Sequence, residues 1–113
     1  MIQTALSFDD VLLVPQYSEI KSRKDIDIYQ ELRAVGDFSL PIISSPMDTI
    51  TGEAMACAVD TAGGLGIVHR YNSIDEQAKM VMNITSDNHN VGAAIGIGED
   101  YIERALTLAR AGV

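Results

Sequence analysis

Apolar positions along this chain follow two rhythms that alternate. At residues 42–45 a β-branched run, Ile42-Ile43, ends in Ser44-Ser45 and Pro46, and a helical pattern begins a few residues later. That pattern predicts a buried strand whose C-terminal end opens into a loop. The helix predicted over residues 52–61 carries Ala54, Met55, Ala58 and Val59 at helical spacing, and Ala62-Gly63-Gly64 supplies its stop.

The same form then recurs. A second strand, residues 65–68, ends in His69-Arg70-Tyr71-Asn72. Ser73 and Glu76 have the spacing of a capping box, in which the Ser side chain accepts from the backbone N–H of Glu76 and the Glu side chain reciprocates. The helix they start places Ile74, Ala78, Val81 and Met82 on one face and ends near Ile84, before a polar turn over residues 85–90. A third strand is predicted over residues 91–97, stopping in Gly98-Glu99-Asp100. A third helix follows over Tyr101–Ala111, with Ile102, Ala105, Leu106 and Ala109 inward and Glu99 and Asp100 complementing its positive end. Gly112-Val113 reads as the start of another strand.

Ahead of these units lies a less regular lead. Ser7-Phe8-Asp9-Asp10 is a capped turn into Val11-Leu12-Leu13-Val14, which Pro15 stops, and residues 16–24 are polar. Ile26, Ile28 and Leu32 alternate with Asp27, Tyr29 and Glu31, predicting an extended segment paired as a lid, and Gly36-Asp37 predicts a turn.

The expected class is therefore α/β, with three strand-to-helix units starting near Ile42, Leu65 and Val91. Right-handed crossovers between parallel strands give an open doubly wound sheet or part of a barrel. A barrel of eight units needs about 250 residues. On that reading 113 residues are a fragment: residues 1–40 a lead and lid, residues 41–113 the first three units of one partial domain. Three parallel strands leave hydrogen-bonding edges uncovered, so such a piece should associate.

Composition narrows the function. With 47% hydrophobic residues the chain is globular, and its net charge of −8 argues against a nucleic-acid or anionic-membrane partner. Phosphorylated small molecules are not excluded, because backbone N–H groups can hold them whatever the global charge. A single cysteine, Cys57, suits a reducing compartment, and no signal peptide or membrane span is present, so the expected location is cytoplasmic. No metal-type cluster is expected, since His69 and His89 stand apart and Cys57 sits among alanines in a helix, a setting for a small core residue. The glycines do not complete a dinucleotide fingerprint, because Tyr101 occupies the third position after Gly96 and Gly98. Close packing of strand and helix is the favoured reason for them.

Candidate chemistry concentrates at the C-terminal ends of the strands, where parallel α/β folds bind ligands. His69 and Arg70 either face that mouth or form a solvated loop in which Arg70 pairs an acid such as Asp48. Asp48 itself orients a substrate, pairs Arg70 or caps the first helix, with Thr49 and Thr51 competing for the cap. Met47 is core filler, or lies against a flat ring.

Four stretches resemble the family of IMP dehydrogenases and GMP reductases. They are residues 6–18 (LSFDDVLLVPQYS), 41–51 (PIISSPMDTIT), 63–69 (GGLGIVH) and 91–98 (VGAAIGIG). The resemblance implies a TIM barrel, usually tetrameric, acting on a purine nucleotide with a nicotinamide cofactor. It implies a dehydrogenase, in which a cysteine attacks C2 of IMP, NAD takes the hydride and water releases XMP. The alternative is a reductase that deaminates GMP through the same type of intermediate, with NADPH as reductant. Residues 20–27 lean to the reductase, and residues 44–47 and 91–98 to the dehydrogenase, which is favoured.

By position, the resemblance implies that Ser45 and Met47 line the nucleotide pocket, Met47 on the purine, with Asp48 and His69 at its mouth, where the end of the second strand also places Arg70. It implies no catalytic residue within the chain, because Cys57 does not match the nucleophile's later loop, and no monovalent-cation site here. The CBS modules common in dehydrogenases would fall between the second helix and third strand, where only residues 85–90 stand. The chain is thus expected to contribute to a pocket without turning over. The competing readings are a non-catalytic half-barrel that binds a nucleotide or partner, and an unrelated open α/β domain.

Overall fold

A computed structural model of the chain describes residues 3–33 and 35–113. The lead contains two single-turn 3-10 segments, Phe8–Asp10 and Arg23–Asp25, each started by a serine. Two short strands follow, β1 (Gln30–Leu32) and β2 (Gly36–Phe38), paired antiparallel with Gln30 opposite Phe38 and Leu32 opposite Gly36. Gly36 and Asp37, expected as the turn, are thus strand residues. The reversal falls just before them, where Val35 N–H donates to Leu32 O at 2.9 Å, because this register buries the Phe38 ring.

Three helices alternate with parallel strands: α1 (Glu53–Thr61), β3 (Gly66–Val68), α2 (Ile74–Ser86), β4 (Val91–Ala93) and α3 (Tyr101–Ala111). Gly66, Ile67 and Val68 face Val91, Gly92 and Ala93 in register, and Ile43 bridges Leu65 in parallel on the other side of β3. The first predicted strand is therefore one bridge, continued by Leu65 N–H to Ile42 O at 3.0 Å and Ser44 N–H to Leu65 O at 3.0 Å. Neighbouring strands follow chain order with a helix after each, an α/β arrangement consistent with part of a TIM-barrel domain. The third strand ends at Ala93 and not at Ile97, because Ala94 makes the last ladder bond, its N–H donating to Val68 O at 3.0 Å.

The core lies between this sheet and the helices, with Ala56, Val68, Val81, Ile84, Val91 and Leu108 buried in one cluster. In α2, Ala78 and Val81 are buried as expected, whereas α1 and α3 are seated on other faces. In α1 the buried residue is Ala56, while Ala54, Met55 and Ala58 are exposed. A methyl group on Gly66 would sit 2.5 Å from the Cα of Ala56, so the bare strand lets the helix backbone approach at this point. In α2, Gln77, Ala78, Val81 and Ile84 are buried and Met82 is exposed. In α3 the seated line is Arg104, Leu108 and Ala111, whereas Ile102 and Leu106 are 56% and 53% exposed. Apolar periodicity misplaced that face because it could not count an arginine as interior.

The hairpin β1–β2 belongs to the N-terminal end of the strands. Residues 35–38 line a cleft of about 490 Å³ together with Leu65, His89, Val91 and Val113. It therefore closes the end opposite the loop at residues 44–51, and is not a lid over the strand mouth.

Candidate functional site

The loop at residues 44–51 is built around one buried residue. Thr51 is 0% exposed, and every polar group it owns is engaged. Its N–H donates to Met47 O at 2.9 Å, and its carbonyl accepts from His69 N–H at 3.4 Å. Its Oγ1 lies 2.6 Å from Ser45 O and 2.9 Å from Ser44 Oγ. A hydroxyl has one proton, so Thr51 donates to the carbonyl and accepts from Ser44, whose oxygen in turn accepts from Ile67 N–H at 3.4 Å. The place of Thr51 in the sequence suggests only a competitor for the helix cap. The N-cap is Gly52, with no side-chain cap bond, so neither Asp48, Thr49 nor Thr51 caps α1. The signal in the sequence was a β-branched hydroxyl residue one step before that glycine.

This clamp fixes the backbone of Met47 on both sides. Its N–H donates to Ser45 O at 2.8 Å across Pro46, and its carbonyl accepts from Ile50 and Thr51 at 3.0 and 2.9 Å. The side chain nevertheless remains 46% exposed. Met47 is therefore not packed within this chain, and the Ser45 hydroxyl has no partner among the described residues. An apolar, polarizable thioether and a free hydroxyl on a rigid backbone suit a flat heteroaromatic ring with polar edges.

At the exit of β3, Tyr71 N–H donates to His69 Nδ1 at 3.2 Å, so the neutral ring carries its proton on Nε2. The His69 and Tyr71 rings stack with centroids 6.3 Å apart, and Arg70 Cζ lies 5.6 Å from the centre of Tyr71. Arg70 also lies across Gly96, where a methyl group would sit 3.0 Å from its Nη1. No ion pair joins Arg70 to Asp48 among the described residues, where the pairs are His89 with Asp60 and Arg104 with Asp100. The structure thus brings Ser45 and Met47 onto one clamped loop, and ties that loop to His69 through Thr51. Asp48 is exposed, and its side chain has no partner among the described residues.

Cys57 lies half-buried in α1, away from this mouth. Burial raises its thiol pKa, and Asp87, Asp60 and Glu53 raise it further, the opposite of what an activated nucleophile needs.

A family model described as IMP dehydrogenase / GMP reductase domain matches residues 5–113. The chain belongs to this family. Among curated relatives, the inosine-5'-monophosphate dehydrogenase of Nitrosopumilus maritimus is 47% identical over 79 residues, 70% of this chain and 17% of the relative. That of Bacillus subtilis is 45% identical over 86 residues, 76% of this chain and 17% of the relative. That of Methanocaldococcus jannaschii is 38% identical over 110 residues, 86% of this chain and 22% of the relative. The chain thus spans about a fifth of the length of these IMP dehydrogenases. Membership removes the reading of an unrelated open α/β domain.

Proposed function

We propose that these residues form the opening part of a TIM-barrel oxidoreductase of the IMP dehydrogenase type, converting IMP and NAD to XMP and NADH in guanine nucleotide synthesis. In this reading the chain supplies one wall of the purine-nucleotide pocket and is inactive alone. Ser45 meets the nucleotide through its hydroxyl and Met47 lies on the base, with Asp48, His69 and Arg70 at the mouth. The observation that carries the reading is the clamp of Thr51 on Ser45, which fixes the Met47 backbone while its side chain stays available.

The residues in hand fit a share of the substrate site better than the site of the chemistry. The covalent step of the family needs an activated thiol, and the thiol of Cys57 is shifted the wrong way and lies on a helix. NAD would supply the oxidising group when bound, while Ser45 and Met47 orient the purine and the clamped loop holds them in place. The complete protein is read as a cytoplasmic homo-oligomer, tetrameric as the resemblance implies. Within the described residues no helix is long and apolar enough to cross a membrane.

The test is a chimera in which this chain replaces the matching segment of the Bacillus subtilis relative. IMP-dependent formation of NADH at 340 nm is expected from the chimera and not from the chain alone. GMP-dependent oxidation of NADPH in its place would assign the reductase reaction. Turnover by the isolated chain would sink the reading.

A further inference from the structure

We propose that Arg104, acting with Gln77, is a positioning residue that sets the two loops at the nucleotide mouth relative to each other. The inference rests on the pocket reading above. Arg104 is 9% exposed, although it belongs to a helix face whose other buried members are Leu108 and Ala111. All five of its N–H donors have an acceptor. Nη1 donates to Gln77 Oε1 at 2.8 Å and to Asn72 O at 3.3 Å. Nη2 donates to Asn72 O at 3.3 Å and to Asp100 Oδ2 at 3.0 Å, and Nε donates to the same oxygen at 3.3 Å. Gln77, fully buried, passes the connection on by donating from Nε2 to Ala94 O at 2.9 Å.

These acceptors stand at the exits of two neighbouring strands. Asn72 follows the His69–Arg70–Tyr71 run after β3. Ala94 and Asp100 bracket residues 95–99 between β4 and α3. Ala94 is held from both sides, its N–H by Val68 O and its carbonyl by Gln77. The Asn72 side chain does not anchor its own loop, because Nδ2 meets only the weak acceptor Met80 Sδ at 3.2 Å and Oδ1 is buried without a partner. Arg104 holds that loop through the backbone carbonyl instead. What depends on the spacing between the loops is the contact of Arg70 with Gly96, which needs one loop to carry the guanidinium and the other to leave room for it. A lysine could reach one or two of these acceptors but not fork across all of them.

Two variants separate positioning from mere support. Arg104→Lys keeps the charge, and Gln77→Glu keeps the acceptor for Arg104 while removing the donor to Ala94. In the chain without nucleotide, both should speed amide hydrogen exchange at residues 70–72 and 95–98 by roughly tenfold or more. In the complete enzyme both should raise KM for IMP by about tenfold, with kcat within about threefold and folding retained. Asp60→Asn at the opposite end of the strands should move neither reading. Unchanged exchange at both loops, or faster exchange with an unaltered KM, overturns the inference. A parent enzyme that binds no IMP overturns the pocket reading and this inference with it, and is distinguished because exchange is judged without nucleotide.

Discussion

The hydroxyl of Thr51 lies 2.6 Å from the carbonyl oxygen of Ser45, across a turn of six residues with no regular structure of its own. Two further bonds, from the Thr51 N–H to Met47 and from His69 to the Thr51 carbonyl, make this residue the joint between loop, helix and second strand. Thr51→Val has nearly the same shape and removes only the hydroxyl. It removes one bond each from the Ser45 carbonyl, which keeps Met47 N–H, and the Ser44 hydroxyl, which keeps Ile67 N–H, in a part-buried place, at a cost of about 0.5–1.5 kcal/mol. Urea unfolding of the chain should show that loss with an unchanged m-value.

Met47→Ala should behave in the opposite manner. The side chain is half exposed and its backbone is held by bonds that alanine retains. Loss of stability should stay below about 1 kcal/mol. In the chimera described above, affinity for IMP measured by calorimetry should fall by about tenfold, as expected when an apolar contact to a ring is removed. Equal loss of stability and no change of affinity would return Met47 to a packing role.

The order of strands and helices from residue 42 onward was readable from the sequence because several boundaries had a local cause. The Ser73–Glu76 capping box is present as expected, with Ser73 N–H donating to Glu76 at 2.9 Å and Glu76 N–H to Ser73 at 3.2 Å. The buried face of α2 was readable at Ala78 and Val81, but those of α1 and α3 were not, because tertiary contacts chose them. Gly66 draws Ala56 inward although Met55 is the larger apolar residue, and Gln77 with Asn72 and Asp100 draws Arg104 inward past Ile102. Ser45 and Met47 were expected at the nucleotide mouth from the family resemblance, and His69 from its place at a strand end. Thr51 and Arg104 were not, since the hydroxyl of Thr51 meets Ser44 and Ser45 across a turn without regular structure and the guanidinium of Arg104 meets partners distant in sequence. Arg104 and Asn72 are 32 positions apart.

Gly66→Ala tests the approach of α1 to β3. The added methyl group would lie 2.5 Å from Ala56 Cα and 2.7 Å from its Cβ, both on a packed helix with no flexible end to move. Overpacking of this kind costs about 1–3 kcal/mol and shifts the helix. The thermal midpoint should drop accordingly, and Ala56→Gly in the same chain should recover part of it by making room. An additive double variant would show that the two residues do not meet.

At the other end of the sheet, Asp60 links α1 to the residues that precede β4. His89 Nδ1 donates to its Oδ2 at 2.8 Å and Asn90 Nδ2 to its Oδ1 at 3.0 Å. Burial alone would raise the carboxyl, but His89 and Asn90 outweigh it and hold the pKa below the ordinary value of 3.8. A depressed folded-state pKa means that the ionised form favours the fold. Its contribution is complete above the unfolded value and is lost as pH falls through the lower folded one. Asp60→Asn keeps the shape and removes the charge, so at pH 7 it should cost about 1 kcal/mol. Followed downward from about pH 5, the gap between parent and variant should narrow below about 4. Denaturant melts at stepped pH values measure this directly. A gap that widens below about pH 4 would mean that the folded state raises the Asp60 pKa, and that burial, not His89 and Asn90, governs this corner.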